Sequence, residues 1–263
     1  MSIPNTPGKH MFKALIEPQR WMQYLKDQGA YPSCAIPAGA IVCYDQTLWS
    51  WTRSLPGRVD CDGSLKGSHL LPHRDRWILV IKAAGVGASI AVLTLEELIA
   101  LGITEFVNLG TAGALQETIG IGDIVICDRA IRDEGTSYHY LPAARYAHAS
   151  PNLTNRLSVA FEAKGLTAHR GASWTTDAPY RETIEELRGY RAEGVLSVEM
   201  EASALFAVGE YRGVSVSSIF AISDILSEAD WVPGFHAPEV AEGLRRVFEI
   251  ALETLATKIR TLQ

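Results

Sequence analysis

The residues best suited to chemistry in this sequence are two carboxylates, Glu201 and Asp224. Glu201 opens a small-residue helix that follows a short apolar run at 195–198, and Asp224 closes a second apolar, β-rich run at 214–222. Strand, helix and strand in that order predict one βαβ unit with parallel strands whose C-terminal ends lie side by side. Ligands bind at such ends in α/β sheets, so the two acids are expected to flank one crevice, with Met200 as a soft apolar wall. A plainer role is open to both: an acid in the first turn of a helix complements its dipole, and an aspartate after a strand caps the next segment. Thr111, in the glycine-rich stretch 110–113 at a strand end, has a hydroxyl and neighbouring amides suited to an oxyanion or phosphate. Trp174 and Tyr180 offer flat faces to a planar ring and Arg181 a reach to its polar edge, although a core tryptophan and a capping arginine would read the same way. The segment 128–140 gathers Arg129, Arg132, acids, hydroxyls and aromatic rings, and reads as a loop forming a site wall or a subunit contact.

These residues need a scaffold, and the hydrophobic pattern supplies one. Residues 1–33 carry Pro4, Pro7, Gly8, Pro18 and Pro32 around one amphipathic stretch at 19–26 and read as an N-terminal arm; residues 34–263 read as one α/β domain. Strands are expected at 35–36 and 40–44, at 77–83, at 106–109 running into a small-residue turn, at 121–126 and at 167–174. Helices are expected at 90–100, with Glu96 and Glu97 outward, and at 152–163, 182–191 and 238–262. Residues 49–71 read as hairpin or loop, and 229–238 as loop. Gly85 and Gly87 lie between strand and helix, where amides can face an anion, but the third glycine of a dinucleotide fingerprint is missing.

A net charge of −6, with no dense Lys/Arg run, speaks against a nucleic-acid partner. Four scattered cysteines without CxxC spacing predict reduced, structural thiols, no metal and a cytoplasmic location. No apolar run approaches the roughly 18 residues of a membrane span.

The runs 108–115 (NLGTAGAL), IGDIVI, 198–208 (VEMEASALFAV) and 221–224 (AISD) together resemble the nucleoside phosphorylase family, which includes uridine phosphorylase, hexameric purine nucleoside phosphorylase and methylthioadenosine nucleosidase. The resemblance covers roughly residues 36–226, and VEMEA is its most specific part. It implies a single domain with a mixed, partly closed central β-sheet flanked by helices, a homo-oligomer built from dimers, no cofactor, and cleavage of the N-glycosidic bond of a nucleoside. Carried over position by position, Glu201 would hold the ribose hydroxyls with Met200 packed on the sugar. Thr111 and Gly110 would meet phosphate, and Thr111 the sugar as well. Val198 and Glu199 would line the base and sugar pocket. Tyr180 and Trp174 would stack beside the base, with Pro179 where one family aromatic is expected. Asp224 would sit at the base N7, which implies a purine-like base.

The chain departs from the pattern at the phosphate. Asn108 stands where the phosphorylases carry an arginine, and PAGAIVCYD replaces the glycine-aspartate-proline turn that carries another. Arg132 or Arg129 could compensate locally, and Arg58 or Arg53 could serve a neighbouring subunit. The expectation is phosphorolysis of a purine-like nucleoside to base and ribose 1-phosphate, with inorganic phosphate as co-substrate. Hydrolysis with water as nucleophile is the runner-up; a uridine or pyrimidine phosphorylase and a non-catalytic nucleoside-binding protein stand behind it. Glu17, the only glutamate before the first strand, makes a poor match to the water-activating residue of the nucleosidases.

Overall fold

The computed structural model describes residues 6–257, with one eleven-stranded mixed sheet between two helical layers. The strands are β1 (Gly39–Cys43), β2 (Val59–Asp60), β3 (His69–His73), β4 (Arg76–Lys82), β5 (Glu105–Ala114), β6 (Ile124–Asp133), β7 (Tyr146–His148), β8 (His169–Thr176), β9 (Ser197–Glu199), β10 (Ser215–Leu226) and β11 (Trp231–Pro233). The helices are α1 (Pro18–Asp27), α2 (Gln46–Thr52), α3 (Ala88–Ala100), α4 (Pro151–Ala163), α5 (Ile184–Ala192), α6 (Ala202–Arg212) and α7 (Pro238–Ala256). Strands β5, β10, β6, β8 and β9 pair in a ring that β9 closes back onto β5, while β1, β4, β3 and β2 extend from the other half of β5. The partly closed sheet expected from the sequence is therefore present.

Alternation along the central strands builds the two cores. On β10, Val216, Phe220 and Ile222 face the side of α3 and α6, and Ile219 and Ala221 face the side of α4 and α7. Helix α6 is buried from Ala202 to Gly209, and Gly209 lets the sheet approach closely, since a methyl group there would stand 2.7 Å from Val216. Local chemistry marks the helix ends. Asp45 caps α2 by accepting from Leu48 N at 2.6 Å, Thr183 and Glu186 form a capping box on α5, and Gly213 ends α6 in the left-handed region at φ 69°. Glu96, expected outward, is buried and takes two bonds from Arg212 at 2.8 and 2.9 Å. Arg212 also reaches Glu17, just before α1, at 3.2 Å, and α1 packs on α3.

Several sequence expectations are corrected. Strand β9 runs antiparallel to β5 while β10 runs parallel to it, so β9 and β10 are not the parallel pair of a βαβ unit. The parallel crossover is instead β8–α5–β9. Ring closure is the cause: a three-residue β9 is oriented by β8 and β5, not by the helix that comes after it. The small-residue stretch 110–114 is strand, because β10 pairs along it as far as Ala114. Residues 49–71 contain the end of α2 and the β2–β3 hairpin, residues up to 133 of the presumed loop belong to β6, and residues 229–238 include β11. Residues 35–36 are not strand. The last helix ends at Ala256, and residues 258–262 of the expected helix lie outside the described residues.

Candidate active site

Strand β5 is shared unequally along one edge. Strand β1 leaves it at Leu109 and β9 joins at Gly113, so neither pairs with residues 110–112. Beside that gap lies a cavity of about 640 Å³, lined by Gly110, Thr111, Ala112 and Gly113 and by residues from β8–α5, β9–α6 and β10–β11. Its size suits a small organic ligand.

Glu201 and Asp224 reach this cavity from opposite flanks of β5. Val198 pairs with Gly113 on one side and Asp224 pairs with the same residue on the other. The register of β10 shifts between Ile222 and Asp224, and this bulge at Ser223 brings Asp224 level with Gly113. A methyl group on Gly113 would stand 3.1 Å from Asp224 Oδ2, 3.2 Å from Val198 and 2.4 Å from Leu226, so a side chain there would displace the arrangement. Asp224 is 8% exposed; its Oδ1 accepts from Ser223 Oγ at 2.7 Å and its Oδ2 from Trp231 Nε1 at 2.8 Å.

The other flank is more deeply buried. Glu199 accepts from Thr175 Oγ1 at 2.5 Å and from the amides of Glu201 and Ala202 at 2.8 and 2.7 Å, so it ties down the start of α6. Glu201, 7% exposed, accepts from Gly87 N at 2.5 Å. The glycine turn at 85–87 thus presents an amide to an anion, as its residue types suggested, and the anion is the chain's own carboxylate. Gly87 has φ 108°, a conformation that favours glycine. Burial raises both carboxyls above the ordinary range, and the Glu201 charge raises Glu199 further against the pull of its three donors.

The expected residues Gly110, Thr111, Trp174, Tyr180, Val198, Glu199, Met200, Glu201 and Asp224 all line the cavity. Their circumstances differ. Trp174 is 1% exposed with its indole N–H on Asp133 at 2.9 Å, whereas Tyr180 is 99% exposed at the mouth. Arg58 and Arg132 do not line it. The Arg58 guanidinium bonds Arg53 O and Asp60, and the buried Arg132 is spent on Ser137 Oγ, Leu141 O and Pro142 O. Arg129 pairs with Asp128, and Arg181 is also outside the lining. Among the described residues no Lys, Arg or His lines the cavity, while Glu182, Glu199, Glu201, Asp224 and Asp230 do.

Several lining residues have no part assigned by sequence alone. Tyr44 packs beside Gly110 and donates to Asn108 Oδ1 at 2.7 Å, and Asn108 Nδ2 donates to Ser218 Oγ at 3.2 Å. Burial and the charges of Glu201 and Glu199 hold the Tyr44 phenol well above its ordinary range, so it remains a donor. Trp231 and Phe235 rim the mouth with ring centroids 6.0 Å apart. Glu182 lies just before α5. The only sequence signal for Trp231 is an aromatic a few positions beyond Asp224; the β10–β11 hairpin folds it back.

Known proteins share this architecture and sequence. The uridine phosphorylase of Vibrio fischeri superposes with a TM-score of 0.71 at 26% identity, covering 85% of this chain and 93% of that one. The purine nucleoside phosphorylase of Toxoplasma gondii, in complex with immucillin-H, gives 0.74 at 21% identity and covers 84% and 91%, which speaks for the fold alone. A guanosine phosphorylase of Halorubrum lacusprofundi is 31% identical over 175 residues, spanning 62% of this chain and 73% of the relative. The uridine phosphorylase of Haemophilus influenzae is 29% identical over 155 residues, and the match spans only 62% of its length. The profile of the phosphorylase superfamily matches residues 75–256, and the chain belongs to that superfamily.

Proposed function

We propose that this protein cleaves the N-glycosidic bond of a purine-like nucleoside and transfers the sugar to phosphate, releasing base and ribose 1-phosphate. The observation that carries this is that Glu201, just beyond β9, and Asp224, level with Gly113 on β10, meet in one cavity from opposite flanks of β5. Cleavage builds positive charge on the sugar and negative charge on the departing base, and an enzyme gains rate by meeting both as they develop. Glu201 fixes the ribose hydroxyls and lends its charge to the sugar, with Met200 against the ring. Asp224, aimed by Ser223 and Trp231, delivers a proton to N7 of the leaving base. A pyrimidine has no N7, which favours a purine. Thr111 and the amides at the open edge of β5 are the groups of this chain available to phosphate. The reading extends to a cytoplasmic homo-oligomer; no described helix is long and apolar enough to cross a membrane.

A second reading rests on one specific observation. The cavity lining lacks a cation among the described residues, and Tyr44 bonded to Asn108 occupies the corner beside Gly110. If no neighbouring subunit supplies positive charge, for example through exposed Arg53, water is the acceptor and the product is free ribose. Purine and pyrimidine nucleosides incubated with and without phosphate, with base, ribose 1-phosphate and ribose all assayed, separate the two. Base release that depends on phosphate is the expected outcome. Free ribose formed equally well without phosphate establishes hydrolysis, and exclusive cleavage of pyrimidines overturns the role given to Asp224.

A further inference from the structure

The end of the cavity around Asp224 has an uneven supply of hydrogen-bonding groups. Its side-chain donors are already given to protein acceptors: Trp231 Nε1 and Ser223 Oγ to Asp224, Thr183 Oγ1 to Glu186 at 2.8 Å, and Ser227 Oγ to Asp230 O at 2.7 Å. Tyr180, exposed at the mouth, is the exception. Glu182, in contrast, is a half-buried carboxyl on the wall with no hydrogen-bond donor from the described residues. A carboxyl held half out of water gains from a ligand group that donates to its charged form. What this end lacks is therefore a ligand edge that donates.

We propose that Glu182 determines base specificity by accepting hydrogen bonds from the N1–H and 2-amino groups of a guanine-type base. This rests on the purine reading above and names the substrate class within it. Guanine offers two adjacent donors on one edge, which a carboxylate takes in bidentate fashion. Hypoxanthine offers only the ring N–H. Adenine offers one amino group beside a ring nitrogen that is itself an acceptor and opposes a second carboxylate oxygen. Burial, and then the charges of Asp224 and Glu186, push the Glu182 carboxyl up to about 7. Asp230, which also lines this end, adds a further acid. Two N–H donors from a base favour the ionised form, so guanine binding strengthens as pH rises through that range.

The test is calorimetric titration of guanine, hypoxanthine and adenine into the full-length protein and into Glu182→Gln and Glu182→Asp variants, at pH 6 and pH 8. It is accompanied by kcat/KM for the three nucleosides. The expected order in the wild type is guanine, hypoxanthine, adenine, with guanine gaining at the higher pH. Glu182→Gln, which turns a donor toward a donor, should weaken guanine by about 10- to 100-fold, leave adenine within about threefold and abolish the pH gain. Glu182→Asp retains the charge at shorter reach and should fall between. Adenine bound as tightly as guanine by the wild type, or guanine preference kept in Glu182→Gln, overturns the proposal. Selective guanine binding without cleavage of any nucleoside would instead sink the catalytic reading and leave this one standing.

Discussion

The two ends of the cavity are built on opposite principles. At the end of Glu201 the polar groups are buried and joined: Glu199 is filled by three donors, Glu201 is held by Gly87, and Thr175 and Ser203 knit the strand to the helix. At the end of Asp224 only that aspartate is fully placed. Glu182 has no donor among the described residues, Tyr180 is 99% exposed, and Trp231 and Phe235 are about half exposed. A preorganised end suits a part common to all substrates, because ordered donors and acceptors need no rearrangement as charge develops. The open end suits the part that varies. We read the first as the sugar side and the second as the base side.

That contrast can be broken experimentally. The largest effect is expected where either end loses its central acid: Glu201→Ala and Asp224→Ala should each lower kcat/KM by about 10²–10⁴-fold with an unchanged fold by circular dichroism. Near-normal turnover in both variants would remove the site assignment. A smaller effect is expected from Trp231→Phe, which deletes one bond to Asp224 and leaves the other from Ser223. Roughly a tenfold loss in kcat, with KM little changed and a displaced pH profile, would mark Trp231 as a positioning residue. An equal loss confined to KM would make it a base-stacking wall instead.

The smallest effect concerns stability, and it has the opposite sign to the first. Burial raises the Glu201 carboxyl above its ordinary value of about 4.5, so the folded state holds its proton more tightly than the unfolded chain does. The resulting stability is complete below that value and is lost as pH rises through the folded range. Glu201→Gln keeps an acceptor for Gly87 and removes the buried charge beside Glu199. It should raise the melting temperature by a few degrees, or about 1–2 kcal/mol, at pH 8 and by less at pH 5. No gain at pH 8 would mean that the charge is better compensated than the three donors on Glu199 and the backbone amides of Gly87 and Met200 on Glu201 suggest.

The sequence by itself determined the element types for most of the chain, the α/β class, and part of the cavity lining, while Tyr44, Glu182, Trp231 and Phe235 came to it only through the fold. Periodicity records which side of an element is apolar, and Glu201, Asp224, Met200 and Thr111 carry their chemistry in their identity. Pairing was decided only in three dimensions. Nothing in the apolar run 195–198 distinguishes a strand parallel to β10 from one antiparallel to it, because that depends on β8 and β5, far away in the chain. The availability of charged groups was decided there too. Arg132 looks free in sequence, but three oxygens from residues 137–142 surround it; Glu182 looks like one acid of a charged helix, but it faces the end of the cavity where the side-chain donors, Tyr180 apart, are spent. Whether a charged side chain acts on a ligand or on its own protein depends on which partners lie within about 3 Å, and long-range packing sets those distances.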